Sequence, residues 1–177
     1  MKKSFYFVVF IFCNILEAQI PYTVQSYSQF DLFDKAQKEF KEKKYKESYT
    51  TLQSCEGYTP CQTMLGFFYA NGLFVDINKT KAITYFENAI DKNSTESMYN
   101  LASLYLKDKN YHDAIKYFEM ATKNSSKEAN YNLGLIYLYG WGVSVDLNKS
   151  FKYMQEADTL GYKQAAEPLK WLKKQIK

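Results

Sequence analysis

The sequence predicts an all-α protein, an α-solenoid of about four helix-turn-helix repeats followed by a C-terminal capping helix. Apolar residues recur every three or four positions along most of the chain, which is the spacing of one face of an amphipathic helix. A short pattern also recurs: Leu, a small residue next to it, and Tyr four positions after the Leu, starting at Leu65, Leu101 and Leu133. Such repetition is typical of architectures in which each unit buries its apolar face against its neighbours.

The composition argues against several classes of function. The chain has 177 residues, of which 46% are hydrophobic, and it is rich in Tyr and Phe, so we expect one packed domain. Its net charge of +4 comes from lysine, because the sequence contains no arginine. Without the guanidinium group that binds phosphates through two hydrogen bonds, no nucleic-acid partner is expected. His112 is the only histidine, so we predict neither a metal site nor a cofactor.

Residues 1–18 have the plan of a secretory signal peptide. Two lysines precede an apolar run that ends at about Leu16, and Ala18 supplies a small residue for cleavage. The run is shorter than the ~20 apolar residues of a transmembrane helix. We therefore expect a periplasmic or secreted protein with no transmembrane segment in the mature chain; an uncleaved anchor is the alternative. Residues 19–29 then form a linker, and residues 30–177 form the repeat domain.

Each repeat is predicted as a pair of helices. The first covers residues 31–55, with its turn near Lys43 and Lys44. In the next three repeats, the second helix carries a stripe of apolar residues. Each stripe contains two neighbouring aromatic residues, or an aromatic residue next to Met, and ends in Ala. These repeats are expected at 59–91, 95–123 and 126–158, with stripes at Ala82, Tyr85, Phe86 and Ala89, at Ala114, Tyr117, Phe118 and Ala121, and at Phe151, Tyr153, Met154 and Ala157.

Capping residues mark the predicted helix starts. Thr59 is predicted to be the N-cap of a helix whose first position is Pro60, with Gln62 three residues after the cap. Ser94 is expected to cap the next hairpin, and Asn110, with Asp three positions later, to cap its second helix. Ser125, with Glu three positions later, has the spacing of a capping box.

The glycines admit two interpretations, a ligand-binding loop or a structural turn. Gly66 and Gly134 lie within predicted helices, where glycine costs ~1 kcal/mol against alanine, so close approach of the paired helix is expected there. Ala102 occupies the same place in the intervening repeat. Gly72 and Gly140 are expected to end their helices in the left-handed conformation. A phosphate-binding loop would follow a strand, and none is predicted, so we favour the structural turn.

Two cysteines remain after the predicted signal peptide. In an exported protein, Cys55 and Cys61 favour one disulfide; a buried unpaired couple is the alternative.

Residues 162–177 are predicted to form a basic capping helix. Gly161, Ala165 and Leu169 suggest a truncated final repeat. Pro168 would kink a helix that begins at Tyr162, unless the helix begins nearer Ala165. One interpretation is that this basic helix contacts an acidic surface; the interpretation we favour is a solvated end cap.

The stretch from Ala129 to Ala157 resembles the Sel-one-like repeat, a subclass of the tetratricopeptide helical-hairpin solenoids. It carries that family's residues at ten positions and departs from the pattern at Ser150: Leu133, Gly134, Tyr137, Gly140, Gly142, Val143, Asp146, Lys149, Tyr153 and Ala157. The copy from Cys61 to Ala89 keeps most of them. The two other repeats have shorter turns and are more similar to ordinary tetratricopeptide units.

The resemblance implies a protein or peptide partner, bound by a monomer on the concave face that the first helix of each repeat lines. By this analogy, the positions two before, two after and five after the repeated Leu face the partner. The expected partner-binding residues are Phe67, Tyr99, Ser103, Tyr131, Leu135 and Leu138, and Thr63 holds an equivalent position. The alternative is that these side chains belong to the core, as aromatic residues at helical spacing usually do.

Some cysteine-rich secreted relatives in this family are catalogued as β-lactamases or penicillin-binding proteins, which is the enzymatic alternative. Those relatives carry a cysteine pair in nearly every repeat, whereas this chain keeps one. No Ser-x-x-Lys sequence occurs, so the usual serine nucleophile motif is missing. We therefore expect no catalytic residue and no enzymatic activity.

Three segments have the sequence Asp-x-Asn-x-Ser/Thr, which resembles the extended acceptor site of some bacterial N-glycosylation systems. Their asparagines are Asn78, Asn93 and Asn148. The alternative is that helix caps and turns use the same few polar residues.

Overall fold

The computed structural model describes residues 27–176; the predicted signal peptide and most of the predicted linker lie outside them. Within these residues the chain forms nine α-helices, one 3₁₀ turn and no strand, which confirms the all-α prediction. The helices are α1 (Gln29–Lys41), α2 (Tyr45–Gln53), α3 (Thr59–Asn71), α4 (Lys79–Ile90), α5 (Thr95–Lys107), α6 (Tyr111–Lys123), α7 (Lys127–Tyr139), α8 (Leu147–Thr159) and α9 (Ala166–Gln175).

The helices pair into four hairpins joined by short turns. Helix α1 packs on α2, α3 on α4, α5 on α6 and α7 on α8. Each second helix also contacts the first helix of the next hairpin, and α3 contacts α5 directly. We call α1, α3, α5, α7 and α9 the first helices. The stacked hairpins form the predicted solenoid. Of the helices between residues 27 and 176, none is long and apolar enough to cross a bilayer.

Helix starts follow the predicted capping chemistry at two sites and shift by one residue at a third. Ser94 and Asn110 each accept a hydrogen bond from the backbone N–H three residues on, as predicted. The prediction for Ser125 is wrong: Ser126 is the N-cap of α7 and bonds the N–H of Ala129. Ser125 has a left-handed backbone, with φ of 60°, and ends the preceding turn instead.

The prediction that Thr59 caps α3 is also wrong by one residue. The N–H of Gln62 donates to the Tyr58 carbonyl at 3.0 Å, so the helical bonding begins at Tyr58 and Thr59 is already helical. Pro60 then occupies the second helical position, where its missing N–H would have had no partner within the helix.

Close approach explains the glycines inside helices. A Cβ added to Gly66 would lie 2.7 Å from the ring of Phe86, and one added to Gly134 would lie 2.8 Å from the side chain of Met154. The Ser150 hydroxyl also donates to the Gly134 carbonyl at 2.8 Å, so the small residue at position 150 fastens α8 to α7. Gly72 and Gly140 end α3 and α7 with φ of 67° and 69°, as predicted.

A stacked tyrosine pair joins the two helices of three successive hairpins. The ring planes of each pair lie within about 13° of parallel, and the ring centres are 5.7–5.8 Å apart. One tyrosine of each pair comes from the repeated Leu pattern and the other from the second-helix stripe: Tyr69 with Tyr85, Tyr105 with Tyr117, and Tyr137 with Tyr153. A lysine ammonium lies about 5 Å from one ring centre in each pair, which adds a cation–π contact.

The cysteines form the predicted disulfide. Cys55 and Cys61 are both buried, and their bond ties the end of α2 to the first turn of α3. Their loop therefore fixes the junction between the first two hairpins.

At the C-terminal end, the 3₁₀ turn Lys163–Ala165 leads into α9. Pro168 lies in the first turn of α9, where it requires no kink, so the later of the two predicted starts is correct. Leu169 and Leu172 are buried against Met154 and Ala157 of α8.

Candidate functional site

Four depressions line the surface formed by the first helices. We call this surface the first-helix face and define it by the residues of α1, α3, α5, α7 and α9 that line the depressions. The predicted partner-binding residues are distributed among them.

The first depression lies between α1, α3 and α5 and has a volume of about 260 Å³. Its walls are mainly apolar, with Phe40, Met64 and Phe67 prominent. The rings of Phe40 and Phe67 meet edge to face, 6.1 Å apart. Lys41 and Glu96 stand among its polar lining residues. The volume suits one large apolar side chain rather than a whole small molecule.

The second depression lies between α3 and α5 and brings two predicted residues together. Phe67 lines it from α3 and Ser103 from α5, with a volume of about 150 Å³. The Ser103 hydroxyl donates to the Tyr99 carbonyl one turn earlier at 2.9 Å. While this bond is made, the hydroxyl can accept a hydrogen bond from a ligand but cannot donate one to it.

The third depression is lined by α5 and by the start of α7, and it is the more polar one. Tyr99 contributes to its wall together with Glu96 and Glu128. The Tyr99 ring also packs against Phe118, with 5.9 Å between ring centres. Tyr99 is thus partly a core residue, as the alternative interpretation of the sequence anticipated.

The fourth depression lies between α7 and α9, has a volume of about 380 Å³, and brings Tyr131, Leu135 and Leu138 together. The Tyr131 ring is 5.0 Å from that of Tyr162, so Tyr131 also has a packing role. Trp171, from α9, forms the opposite wall.

Thr63 lines the first depression, but almost none of its surface is exposed there. It is buried, and its hydroxyl lies 2.7 Å from the Ser97 hydroxyl of the next hairpin. The side chain therefore fastens α3 to α5. Position alone did not distinguish it from Tyr99 and Tyr131, because a short threonine fits between two helices where a tyrosine has to project.

Two polar residues of this face were absent from the sequence prediction. Asn100 is partly exposed and lines three of the four depressions, and Glu96 lines two. Partial removal from water raises the pKa of the Glu96 carboxyl, although the side chain keeps some solvent contact. The signal was helical spacing: Glu96, Asn100 and Ser103 lie at i, i+4 and i+7 of α5, on one face.

The described residues offer little for metal binding or for nucleophilic chemistry. Between residues 27 and 176, no three His, Cys, Asp or Glu side chains are close enough to hold a metal ion. His112 is highly exposed, and its Nδ1 lies 3.3 Å from the neighbouring Asp113 carboxylate. That carboxylate accepts a shorter hydrogen bond, 2.7 Å, from Asn110, which keeps its pKa below the usual range.

The three predicted glycosylation asparagines lie in different settings. Asn78 is exposed but caps α4, where its side chain accepts the N–H of Lys81. Asn93 is exposed in the turn before α5, with a left-handed φ of 62°. Asn148 is exposed at the start of α8, but the Ser150 of its acceptor sequence is buried and hydrogen-bonded.

Comparison with known proteins agrees with the fold. Residues 59–94 and 127–162 match the Sel1 repeat, and residues 78–129 and 99–138 match the tetratricopeptide repeat. The chain is therefore a Sel1-repeat protein of the tetratricopeptide type. Such repeat solenoids generally serve as scaffolds for protein–protein interaction. No curated protein matches the sequence.

Solved structures show the same fold at low sequence identity. A Sel1 repeat protein from Oxalobacter formigenes aligns with a TM-score of 0.69 and 22% identity, covering 78% of this chain and 58% of that one. The protective antigen c5321 of uropathogenic Escherichia coli, which has the Sel1-like repeat fold, aligns with a TM-score of 0.68 and 20% identity, covering 80% and 32%. MamA of Desulfovibrio magneticus RS-1 aligns with a TM-score of 0.54 and 20% identity, covering 82% and 93%. The chain thus spans less than two thirds of the first two proteins.

Proposed function

We propose that this protein is an interaction scaffold that holds an extended peptide, or an extended segment of a partner protein, along its first-helix face. The observation that carries the proposal is the row of four depressions on successive first helices. Three of the four have mainly apolar linings, and each of those has room for one or two side chains. An extended strand can place successive side chains in such a row, since alternate residues point the same way.

Some of the residues that support this role only line the depressions, whereas others also pack against the core. Phe67 and Ser103 meet in one depression, and Leu135 and Leu138 in another. Asn100 lines the same depression as Phe67 and Ser103, and its amide can both donate a hydrogen bond to a peptide backbone and accept one from it. Tyr99 and Tyr131 combine partner contact with packing, so they are poor choices for a first mutational test.

A comparison of two charge insertions tests the proposal. Phe67→Glu puts a carboxylate into two depressions, whereas Ile77→Glu puts one on an exposed turn residue, 61% accessible, away from the first-helix face. Both purified variants, with wild-type circular dichroism and urea midpoints, serve as bait for envelope proteins of the source cell. We expect wild type and Ile77→Glu to retain the same partner and Phe67→Glu to lose at least nine tenths of it.

Two results would count against this function. A partner that Phe67→Glu retains and Ile77→Glu loses would place binding on the turn side of the solenoid. Hydrolysis of a chromogenic β-lactam by wild type, with no partner retained, would favour the catalytic alternative instead.

We propose further that the protein is exported and acts outside the cytoplasm. The support is the charge and hydropathy plan of residues 1–18, together with the single disulfide of the repeat domain. Intact mass measurement of the protein from its own cell is expected to show a chain that starts at Gln19. A chain that retains its first residues would contradict cleavage at this site.

Asn93 is the asparagine that we propose as the first to be glycosylated. Its side chain and the preceding Asp91 are exposed in a turn, whereas Asn148 belongs to an acceptor sequence whose Ser150 hydroxyl is already bonded to Gly134. Protein from a cell with such a glycosylation system is expected to lose most of its added mass in Asn93→Gln. An unmodified mass in wild type would rule the proposal out.

A further inference from the structure

We infer that the first-helix face continues onto α9, where Trp171, Lys170 and Lys174 form an end subsite for an apolar side chain that neighbours a carboxylate in the bound peptide. The inference rests on the proposed function, because it specifies the chemistry of the peptide at one end of the same face. It concerns a helix that the sequence analysis assigned to a truncated final repeat with a basic cap, without a partner-binding residue.

Register identifies α9 as the equivalent of the first helix of a fifth repeat. Leu169 is buried, as Leu133 is in the preceding repeat. Trp171 follows Leu169 by two positions, which is the relation of Leu135 to Leu133 and of Phe67 to its own Leu. Trp171 therefore holds the position that lines the first-helix face in the other repeats.

Among residues 27–176, no helix follows α9 to pack on it, and most of its exposed surface is polar. In the complete repeats, the residue after the Leu is small and packs on a second helix; here it is Lys170, and it is exposed. A helix of a solenoid that no further unit covers usually has a polar outer side. Trp171 departs from that pattern, since 48% of its surface is exposed.

Trp171 belongs to a formed apolar depression and is not an isolated surface residue. Leu135, Leu138 and Pro168 share the depression with it, and Tyr139, 60% exposed, stands at its edge. The Tyr139 ring stacks on Trp141 at 5.3 Å, which restrains its position. Exposed aromatic rings around a pocket of about 380 Å³ are the arrangement that anchors a partner's apolar side chain.

Charge indicates what accompanies that side chain. Lys174 follows Trp171 by three positions, so it lies beside Trp171 on the helix surface, and Lys170 lies one turn before Lys174. Within the described part of the chain, neither ammonium lies within ion-pair distance of a carboxylate. Glu167 is the one charged residue that lines this depression, and Lys170 and Lys174 lie outside the lining, on the exposed surface of the same helix. A peptide with Asp or Glu next to its apolar residue matches this field.

Peptide selection followed by a fluorescence titration tests the subsite. Random 12-residue peptides displayed on phage are selected on the purified protein. The enriched peptides are then titrated into the Trp141→Phe variant, in which Trp171 is the only tryptophan. We expect selected peptides to carry an apolar residue within two positions of Asp or Glu, and the Trp171 emission to shift to shorter wavelength on binding.

Variants separate the two parts of the subsite. Trp171→Ala is expected to weaken binding about tenfold, whereas Phe74→Ala, which removes an aromatic side chain of similar exposure (52%) at a turn, leaves affinity unchanged. The double variant Lys170→Gln, Lys174→Gln is expected to weaken binding several-fold at low salt and to match wild type at about 0.5 M salt, where exposed charges are screened.

The outcomes distinguish failure of the subsite from failure of the proposed function. Peptides whose binding needs Phe67 but tolerates both α9 changes would overturn the subsite and leave the scaffold function standing. Selection that enriches no peptide would overturn both. Emission that shifts only with vesicles containing phosphatidylglycerol would also overturn the subsite, since α9 would then contact a membrane surface.

Discussion

Gly66 sets the spacing between α3 and α4, because its missing methyl group leaves room for the Phe86 ring. In Gly66→Ala, the added carbon would lie 2.7 Å from that ring, and a buried ring has little freedom to move. Overpacking of this kind costs about 1–3 kcal/mol, and better helix propensity offsets ~1 kcal/mol of it. Urea unfolding is expected to show a net loss of about 1 kcal/mol.

Two further alanine variants control that measurement. Gly134→Ala meets the flexible Met154 side chain and is expected to cost less than Gly66→Ala. Gly57→Ala meets its nearest atom at 3.5 Å, an ordinary contact. A Gly66→Ala protein as stable as wild type would show that α3 and α4 are less closely packed than described.

Tyrosine ionisation makes the fold sensitive to alkaline pH. Burial, and then a 2.7 Å hydrogen bond with Tyr69, raise the pKa of Tyr49 to about 12. Burial and a bond to Glu56 also raise the pKa of Tyr85. The unfolded chain, with tyrosine pKa values near 10, loses these protons first. The stabilisation is therefore complete below about pH 10 and is lost as pH rises from 10 towards 12.

Tyr49→Phe combined with Tyr85→Phe tests the alkaline effect. Urea midpoints at pH 8, 10 and 11.5 are expected to fall less with pH in this double variant than in wild type. Some decline remains, because burial raises the pKa of other tyrosines, among them Tyr105 and Tyr117. Parallel slopes for the two proteins would contradict the proton linkage at Tyr49 and Tyr85.

At the scale of helices, the Cys55–Cys61 disulfide fixes the junction of α2 and α3. A cross-link that closes so short a loop lowers the conformational entropy of the unfolded chain and thereby stabilises the fold by about 2 kcal/mol. Reduction is therefore expected to lower the Tm by about 5 °C. The variant with both cysteines changed to alanine should show the lower Tm with or without reductant. Equal Tm values for oxidised and reduced wild type would show that the bond adds no stability.

Helix type and order followed from the sequence, whereas helix boundaries followed only to within a residue. The spacing of apolar residues and the repeated Leu and Tyr positions are properties of single helices, so the sequence alone predicts which segments are helical and in what order they pair. The choice between Ser125 and Ser126 depended on which serine took the left-handed backbone at the end of a turn. That choice reflects how the turn fits against α6, and the local pattern does not contain it.

At the scale of the whole molecule, the candidate face was only partly predictable. Repeat register located Phe67, Ser103, Leu135 and Leu138 in depressions, because equivalent positions of stacked hairpins point the same way. It could not tell that Thr63 would be buried between two hairpins. Trp171 was overlooked although it obeys the same register, since the partner-facing positions were not extended to the truncated final repeat, whose helix was interpreted as a basic cap.

The central claim is that a partner lies along the first helices of the solenoid. Amide hydrogen exchange, with and without a saturating peptide from the selection, tests it most directly. We expect binding to slow exchange in α3, α5 and α7, around Phe67, Asn100 and Leu135, and to leave α4, α6 and α8 unchanged. Protection confined to the second helices or to the hairpin turns would contradict the claim.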